Sequence, residues 1–485
     1  MSERRSAEIA ARMQRIPTTR HAWAIVLLAA GALVVEALDI GSLGIILPVI
    51  KSTMALSPSE IGMLAASSAL GIVFGMIPAG SLADRYGRKR LLVGGTIWFA
   101  SLTMLAAFSP NFTVLLVLRA LSGLGMAPAF IMPYAIVSEF VSSTTRAAFA
   151  GLLETALGVG YLLPPILGLV IVPNFAPDIA WRIFLFVAGL PLLYVWVIWR
   201  HLPESPRWLS RMGRLDEAEA IVSALERRVE RTLGRALPPP TIAPETAAAV
   251  VSIQPGPKLH AIFLVWRPPY LLRTVSMIIG AVGTFSMFYL GVNYIPSIFV
   301  ERHMAISNAL AFTIIISGAQ IPGKILNGLC AEYVGRKAIY VTFTLVAVGA
   351  SYMFGLADTT FGLVGWGSLI LFSAAGAAPS FKMWYAELYP TPFRATGQAT
   401  VESIGGRLFG GVFWTFLFPV LIGGLGMQMT MTIAGLLGVA GIVFVTAFVP
   451  ETSRRTVESL EVPKVDNPAF GPIDSLSRVG TQRPS

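Results

Sequence analysis

The sequence is poor in charged residues, in histidine and in cysteine. Only 13% of its 485 residues are charged, against about a quarter in soluble domains. Cys330 is the only cysteine, which excludes an intrachain disulfide framework. The four histidines show no metal-ligand spacing, and no phosphate-binding G-x-x-x-x-G-K-[ST] pattern occurs. These absences disfavour a cytosolic enzyme, a secreted disulfide-rich protein, a metalloenzyme and an ATP-driven pump.

Long apolar runs account for the missing charge. Hydrophobic residues make up 55% of the chain, and the mean hydropathy is +0.70. A membrane-spanning helix needs about 20 mainly apolar residues. We predict twelve, at residues 22–48, 60–83, 91–108, 113–138, 147–171, 182–200, 272–298, 307–330, 338–356, 363–386, 396–422 and 427–449. They are too long for barrel strands and do not alternate. We expect no cleavable signal peptide, because five arginines precede the first span and no small-residue cleavage site follows it.

The basic residues lie mainly on one side of these spans. They fill the N-terminal tail, every second loop and the C-terminal tail, whereas the other loops contain few beyond Lys51, Arg182 and Arg302. By the positive-inside rule, both termini are predicted to be cytoplasmic. This topology explains the formal charge of +10, so nucleic acid is not an expected partner. The long loop after the sixth span contains a predicted helix at residues 215–235, with acids in its first turn and arginines near its end.

An internal repeat of 248 residues relates the two halves of the chain. It pairs Gly80, Asp84, Gly87, Arg88 and Lys89 with Gly328, Glu332, Gly335, Arg336 and Lys337; Glu139 and Arg146 with Glu387 and Arg394; Glu154 with Glu402; and, displaced by 247, Pro203-Glu204-Ser205 with Pro450-Glu451-Thr452. Two parallel six-helix halves place a binding site between them near the bilayer midplane. We therefore expect a cytoplasmic tail at 1–21, a helical bundle at 22–200, a cytoplasmic linker at 201–271, a second bundle at 272–449 and a tail at 450–485.

These residues resemble the major facilitator superfamily. Residues 80–90 are similar to its loop signature G-x-x-x-D-R-x-G-R-K-R, and Arg119, Gly123 and Gly125 to the R-x-x-x-G-x-G of its fourth helix. The resemblance implies an all-α membrane protein with twelve transmembrane helices in two pseudo-symmetric six-helix bundles. The Pro-Glu-Ser and Pro-Glu-Thr segments resemble signatures of sugar porters and their metabolite-transporting relatives.

The first span resembles one branch of that family more closely. Glu36-Ala-Leu-Asp39, with Gly44 and Pro48, is similar to the D-G-[FY]-D-x4-G-x3-P pattern of aromatic acid:proton symporters. Glu36 and Ala37 depart from this pattern, and the seventh span has no sugar-porter Q-Q-x-S-G-x-N pattern. These departures leave the substrate class open.

Charged residues at the predicted cytoplasmic helix ends suggest an ionic latch. It would hold the cytoplasmic side shut in the outward-open state and break on inward opening. Its predicted members are Gly80, Asp84, Arg85, Gly87, Arg88, Glu139, Arg146, Glu332, Arg336, Glu387 and Arg394. The alternative is that the arginines only set the topology. Glu154 and Glu402 are predicted to have a shared structural role, in preference to contact with the substrate.

Two acids inside the first span are candidates for proton coupling. Glu36 and Asp39 are three residues apart on one helix face, within about 6 Å of the middle of the span at roughly 1.5 Å per residue. Two carboxylates this close in a low dielectric should not both ionise at neutral pH. Asp39 is the first choice for the proton carrier, because it matches the second acid of the family pattern. The alternative is that one of the two acids pairs with a structural arginine.

An arginine in the cavity wall would bind a substrate carboxylate. Arg407, near the middle of the eleventh span, is the main candidate, and Arg119 is the second. Weaker candidates for substrate contact are Tyr289, Asn293, Tyr294, Gln320 and Trp384. Lys324 and Lys382 lie near predicted cytoplasmic ends, where snorkelling to water is the favoured interpretation.

The sequence therefore predicts a proton-coupled importer of a small organic acid, an aromatic or other carboxylate, and not an enzyme. The alternatives are a sugar or polyol:proton symporter and an efflux carrier of drugs or metabolites. We expect a monomer in the bacterial inner membrane, whose partners are the small-molecule substrate, the proton and the lipid bilayer, with no cofactor and no metal.

Overall fold

In the computed structural model, residues 2–141, 145–240, 263–389 and 394–453 are described, and all their regular secondary structure is helical. Part of the predicted linker, 241–262, and most of the predicted C-terminal tail, 454–485, lie outside the described residues. The N-terminal helices are α1 (Ser2–Gln14), α2 (Arg20–Met54), α3 (Pro58–Tyr86), α4 (Arg88–Ala106), α5 (Phe112–Phe140), α6 (Arg146–Ile171), α7 (Pro177–Ala188) and α8 (Leu192–His201). Two further helices follow, the six-residue α9 (Pro206–Arg211) and α10 (Leu215–Leu233).

The second half has the same succession of helices. They are α11 (Tyr270–Glu301), α12 (Ile306–Gly318), α13 (Gln320–Val334), α14 (Arg336–Leu356), α15 (Thr360–Glu387), α16 (Arg394–Thr400), a π-helix (Val401–Phe413) and α17 (Trp414–Phe448). Adding 248 to the bounds of α4 and α5 gives those of α14 and α15 to within two residues. The chain is thus an all-α membrane protein of two pseudo-symmetric halves, as predicted.

Ten helical segments in the described ranges are long and apolar enough to cross a membrane. The longest, Thr396–Phe448, has 53 residues and contains the non-helical Gly426, with φ 79° and ψ 171°, so that it divides into two. The 19-residue α4, which begins with three basic residues, is not among the ten. With the longest segment counted as two and α4 added, the total equals the twelve predicted spans.

Equivalent helices pack against each other in both halves. In the first half α5 packs on α3 and α4, and in the second half α15 packs on α13 and α14. Likewise α2 packs on α6, and α11 packs on the π-helix. The repeat seen in the sequence is therefore a repeat of packing.

One close contact between the two halves lies at the end of α2 that is remote from the N-terminal helix α1. Here α2 and α11 approach so closely that a Cβ atom on Gly44 would lie 2.5 Å from the main-chain oxygen of Val292. Lys51 forms an ion pair of 2.7 Å with Glu301 near the same end. A larger residue at Gly44 would push the halves apart.

The N-terminal helix α1 lies on α10, the helix predicted in the linker. Arg12 of α1 and Arg15, which directly follows α1, donate hydrogen bonds to the carboxylate of Glu226, and Arg5 pairs with Asp216 at 2.8 Å. Burial raises the pKa of Glu226, but the hydrogen bonds and the positive charges of the two arginines together lower it by more, so its pKa is below the ordinary value. These ion pairs join two elements that lie more than 200 residues apart in the chain.

Candidate functional site

A central cavity with an empty volume of ≈ 390 Å³ lies between the two halves. Its wall combines aromatic and small apolar side chains with five charged ones, the composition typical of a small-molecule site. The lining residues are Phe130, Glu154, Leu157 and Tyr161 from the first half, and Phe285, Phe288, Tyr289, Lys324, Ala374, Ala375, Ala378, Lys382, Glu402 and Arg407 from the second.

Arg407, the main predicted substrate-binding residue, lies in this wall and is 4% exposed. Its guanidinium donates a hydrogen bond of 3.0 Å to the hydroxyl of Tyr289, and its central carbon lies 4.2 Å from the ring centroid of Phe130. The nearest carboxylates, Glu402 at 3.8 Å and Glu36 at 3.9 Å, are beyond hydrogen-bond distance. Within the described residues only one of its five N–H donors is therefore bonded, which leaves the others available to an anion.

Arg407 lies on a π-helix, and the geometry of this helix explains why its side chain reaches the cavity wall. Val401–Phe413 is a π-helix, a rare and wide helix that is frequently found at functional sites. Its hydrogen bonds join residues five apart, which brings Glu402 and Arg407 to the same side. At Gly405 the π-helix approaches α11 so closely that a Cβ atom would lie 2.7 Å from that of Ala281. The glycine thus lets Arg407 reach the cavity beside Tyr289.

Glu36 of α2 is fully buried beside Arg407. Neither of its carboxylate oxygens has a hydrogen-bond partner among the described residues. Arg407, at 3.9 Å, is the one cation within 4.0 Å of it in that part of the chain. A buried carboxylate without hydrogen bonds is costly to ionise, so the ionised form of Glu36 depends on the nearby charge of Arg407.

Asp39, by contrast, is already paired. Its carboxylate lies 3.0 Å from a guanidinium nitrogen of Arg119 and accepts a hydrogen bond of 2.7 Å from Thr103. Arg119 also donates to the main-chain oxygen of Asp39, at 3.2 Å. Both side chains are fully buried, and Arg119 is not among the cavity-lining residues. The structure thus corresponds to the alternative in which one acid of α2 pairs with a structural arginine.

Glu154 of α6 joins the first half to two lysines of the second. Its carboxylate lies 2.7 Å from the ammonium of Lys382 and accepts a hydrogen bond of 2.6 Å from Tyr134. The ammonium of Lys324 donates to the main-chain oxygen of Glu154 at 2.9 Å and lies 3.7 Å from the carboxylate. Both lysines line the cavity, so the snorkelling interpretation was wrong.

A signal for these cations was present in the repeat. The residues 248 positions before Lys324, Lys382 and Arg407 are Met76, Tyr134 and Val159, none of them positively charged. The cavity's three cations therefore all come from the second half, at positions where the two halves differ in charge.

The other predicted substrate contacts lie outside the cavity lining. They are buried, and each bonds to a neighbouring part of the protein: Asn293 to the hydroxyl of Thr415 (3.4 Å), Tyr294 to the main-chain oxygen of Thr415 (2.6 Å), Gln320 to that of Ser317 (2.9 Å) and Trp384 to that of Pro450 (2.9 Å). Of the weaker candidates, the structure brings only Tyr289 to the cavity.

Five of the predicted latch residues form ion pairs, in one cluster in each half. Arg88 pairs with Asp84 and Glu139, each at 3.2 Å, and Arg336 pairs with Glu387 at 3.0 Å. These ion pairs connect helices of the same half. The side chains of Arg146 and Glu332, two further predicted latch residues, lie outside the described part of the chain. Of the remaining predicted members, Arg85 lies against the ring of Tyr86, Arg394 donates to the main-chain oxygen of Tyr389, and a Cβ atom on Gly80 would meet no neighbour within 4 Å.

The repeated glutamates of the Pro-Glu-Ser and Pro-Glu-Thr segments cap two helices. Glu204 accepts the main-chain N–H groups of Arg88 and Lys89 at the start of α4, at 3.0 and 3.1 Å. Glu451 does the same at the start of α14, for the N–H groups of Arg336 and Lys337. Gly87 precedes α4 with φ 99°, where an added Cβ atom would lie 2.4 Å from the carboxylate of Glu204. The sequence repeat did not indicate this capping role.

Known proteins similar to this chain are membrane transporters. The niacin transporter NiaP of Acinetobacter baylyi is 27% identical over 455 residues, which cover 93% of this chain and 99% of that protein. The 4-hydroxybenzoate transporter PcaK of Pseudomonas putida is 24% identical over 439 residues, covering 89% and 93%. The xylose transporter XylE of E. coli, solved in a partially occluded inward-open conformation, has the same fold, with a TM-score of 0.73 at 19% identity over 90% of this chain and 100% of that one.

The family assignment agrees with the residues that suggested it. The sequence profile of the Major Facilitator Superfamily matches residues 29–399, from α2 to α16, and so includes both copies of the loop signature. The chain therefore belongs to the Major Facilitator Superfamily of membrane transporters.

Proposed function

We propose that this transporter imports a small aromatic carboxylate together with a proton, by alternating access between the two halves. One observation carries the proposal: Arg407 lies in the wall of the central cavity with a single hydrogen bond among the described residues. A buried guanidinium with free donors is a receptor for a carboxylate, which it binds through two parallel hydrogen bonds.

The rest of the cavity wall supports an aromatic substrate. Phe130, Tyr161, Phe285, Phe288 and Tyr289 all contribute rings to it. Aromatic rings prefer edge-to-face or offset contacts with other rings, so such a wall favours a flat aromatic ligand over a sugar. Niacin and 4-hydroxybenzoate, the compounds in the names of two relatives, are aromatic monocarboxylic acids.

The two acids of α2 support proton coupling. A charged side chain at the centre of a bilayer costs on the order of 2.5–3.5 kcal/mol. Ionisable residues inside membrane spans therefore mark proton or substrate pathways. Glu36 lies 3.9 Å from Arg407 of the cavity wall, and Asp39 joins α2 to α5 through Arg119. A proton gained or lost here would change the charge beside Arg407.

We also propose that the clusters around Arg88 and Arg336 control opening on the side of the termini, and that this side is cytoplasmic in a bacterial inner membrane. This orientation is supported by the basic loops, because loops rich in lysine and arginine lie on the cytoplasmic side by the positive-inside rule.

Uptake by purified protein in liposomes tests the function. Nicotinate, 4-hydroxybenzoate, benzoate, nicotinamide and xylose are offered with and without an inward proton gradient. We expect accumulation of at least one of the carboxylates, increased by the gradient, and none of nicotinamide or xylose. Accumulation of xylose alone, or uptake indifferent to the gradient, would contradict the proposal.

A further inference from the structure

The charged side chains around the cavity do not all have fixed partners. Glu154 is held by Lys382 at 2.7 Å, and Glu402 accepts a hydrogen bond of 2.9 Å from Tyr385. Glu36 has no such bond in the described part of the chain, although it is fully buried and faces Arg407 at 3.9 Å. Arg407 and Glu36 are thus an ion pair held loosely enough for either member to exchange its partner.

We propose that the substrate carboxylate replaces Glu36 as the counter-ion of Arg407, and that Glu36 takes up the transported proton when it is displaced. This inference rests on the proposed function, which it deepens by assigning the proton to one residue and coupling it to substrate through one arginine. The exchange keeps the charge around Arg407 constant. Before binding, the guanidinium faces an ionised Glu36; after binding, it faces the substrate anion and a neutral glutamic acid.

The physical reason is the cost of accumulating anions around one buried cation. Glu402 already lies 3.8 Å from Arg407. If Glu36 stayed ionised when the substrate bound, three carboxylates would lie around this guanidinium, with Lys382, 4.0 Å from Glu402, as the next cation. In a low dielectric such like charges repel strongly. Protonation of Glu36 removes one of these charges. Its oxygens have no hydrogen bond to lose, so protonation breaks no contact.

Asp39 does not fit this role in the structure. Its charge is balanced by Arg119 at 3.0 Å, and Thr103 donates a hydrogen bond to the same oxygen. Protonating Asp39 would leave Arg119 as a buried cation without a counter-ion. The geometry therefore assigns Asp39 a positioning role, fixing α2 so that Glu36, three residues earlier, faces Arg407.

Near Glu36, six helices place charged or titratable side chains. Those that interact with it electrostatically are Asp39 on α2, Glu154 and Tyr161 on α6, Tyr289 on α11, Lys324 on α13, Lys382 on α15 and Arg407 on the π-helix. Lys324 and Lys382 are engaged by Glu154, so Arg407 is the cation whose partner changes when the substrate arrives.

This exchange makes substrate binding depend on pH in a defined way. If binding requires one proton on Glu36, the apparent Kd rises roughly tenfold per pH unit above the pH at which Glu36 of the empty carrier ionises, by linkage. A variant that cannot ionise at position 36 should bind with a Kd independent of pH.

Radiolabelled nicotinate binding to the purified full-length protein in detergent, between pH 5.5 and 8.5, tests the inference. For the wild type we expect the Kd to rise about tenfold per unit in the upper part of this range. Glu36→Gln should bind with a Kd that changes less than about twofold per unit, and Glu36→Asp should keep the wild-type slope. Glu402→Gln is the matched control, because it removes the other carboxylate near Arg407 at almost the same distance, and it should also keep the slope.

The outcomes separate this inference from the proposed function. Suppose that the wild type binds nicotinate with a pH-dependent Kd. If Glu36→Gln keeps the slope of Kd against pH, or if Glu402→Gln loses it instead, the inference alone is overturned. A wild type that binds none of nicotinate, 4-hydroxybenzoate and benzoate at any pH would overturn both.

A second measurement needs no variant. Nicotinate is added to weakly buffered wild-type protein with a pH indicator dye present, at a pH where the wild-type Kd rises about tenfold per unit and Glu36 of the empty carrier is therefore ionised. We expect uptake of close to one proton per nicotinate bound. Binding without proton uptake would refute the exchange, whatever the stability of the Glu36 variants.

Discussion

Replacing Asp39 with Asn is the perturbation whose effect follows most directly from the structure. Asp39 and Arg119 are both fully buried, with 3.0 Å between the carboxylate and the guanidinium. The Nε of Arg119 already has no hydrogen-bond partner in the described residues. Asparagine removes the counter-charge and leaves a buried cation. Breaking one side of a buried ion pair costs about 3–5 kcal/mol, so Asp39→Asn should lower the thermal unfolding midpoint markedly and abolish gradient-driven accumulation.

The double variant separates charge from packing. In Asp39→Asn with Arg119→Gln no buried charge remains, so we expect most of the lost stability to return. Thr103→Val is the matched control. It removes the hydroxyl that donates to Asp39 and accepts from Arg119, and it leaves the ion pair, so it should cost only about 1–2 kcal/mol. Thermal unfolding of the four proteins in the same detergent measures all of this. A single variant as stable as the wild type, or a double variant no more stable than the single one, would refute the reasoning.

Three further predictions concern the side of the protein that carries the termini. Arg88→Ala removes the ion pair to Glu139, and we expect liposome uptake to be lost while nicotinate binding persists; an equal loss of binding would argue against a latch. Glu204→Ala removes the acceptor at the start of α4 and should cost about 1–2 kcal/mol in thermal unfolding, the range of a helix cap; no change would show that the cap is dispensable. The pKa of Glu226 is lowered in the folded protein, so its ion pair with Arg12 contributes stability that is present above the ordinary pKa of 4.5 and lost as the pH falls through the folded value. Hydrogen exchange of residues 2–14 should therefore be slow at pH 7 and, corrected for its intrinsic rate, faster at pH 3; equal protection at both would contradict this.

The fold could be predicted because its determinants are long and repeated. Apolar runs of membrane length, basic loops and the 248-residue repeat act over many positions, so single departures do not hide them. Even so, α4 is short and begins with three basic residues, and the last two spans form one nearly continuous helix interrupted at Gly426. Boundaries of this kind depend on local φ and ψ, which composition does not specify.

The site could be predicted only in part, because sequence gives a residue's depth in a helix but not the neighbour it faces. Arg407 and Tyr289 were expected to bind substrate, and the structure joins them with a hydrogen bond. Arg119 was expected at the same site, but it lies against Asp39, a contact between α5 and α2 that no spacing in the chain indicates. Lys382 was expected to snorkel to water, but it lines the cavity, where its ammonium pairs with the carboxylate of Glu154. In both cases the position of the side chain depends on a partner on another helix, which the sequence alone does not identify.

The central claim is that Arg407 binds the carboxylate of an aromatic substrate. The most direct test compares the Kd of nicotinate with that of nicotinamide, its neutral analogue with the same ring, in the wild type, Arg407→Lys and Arg407→Gln. A charge-assisted hydrogen bond is worth about 1.5–3 kcal/mol, which corresponds to roughly 10–100-fold in affinity. The wild type should prefer nicotinate by at least about tenfold, Arg407→Lys should keep part of this preference, and Arg407→Gln should lose it. An Arg407→Gln protein that still prefers nicotinate as strongly as the wild type would contradict the account.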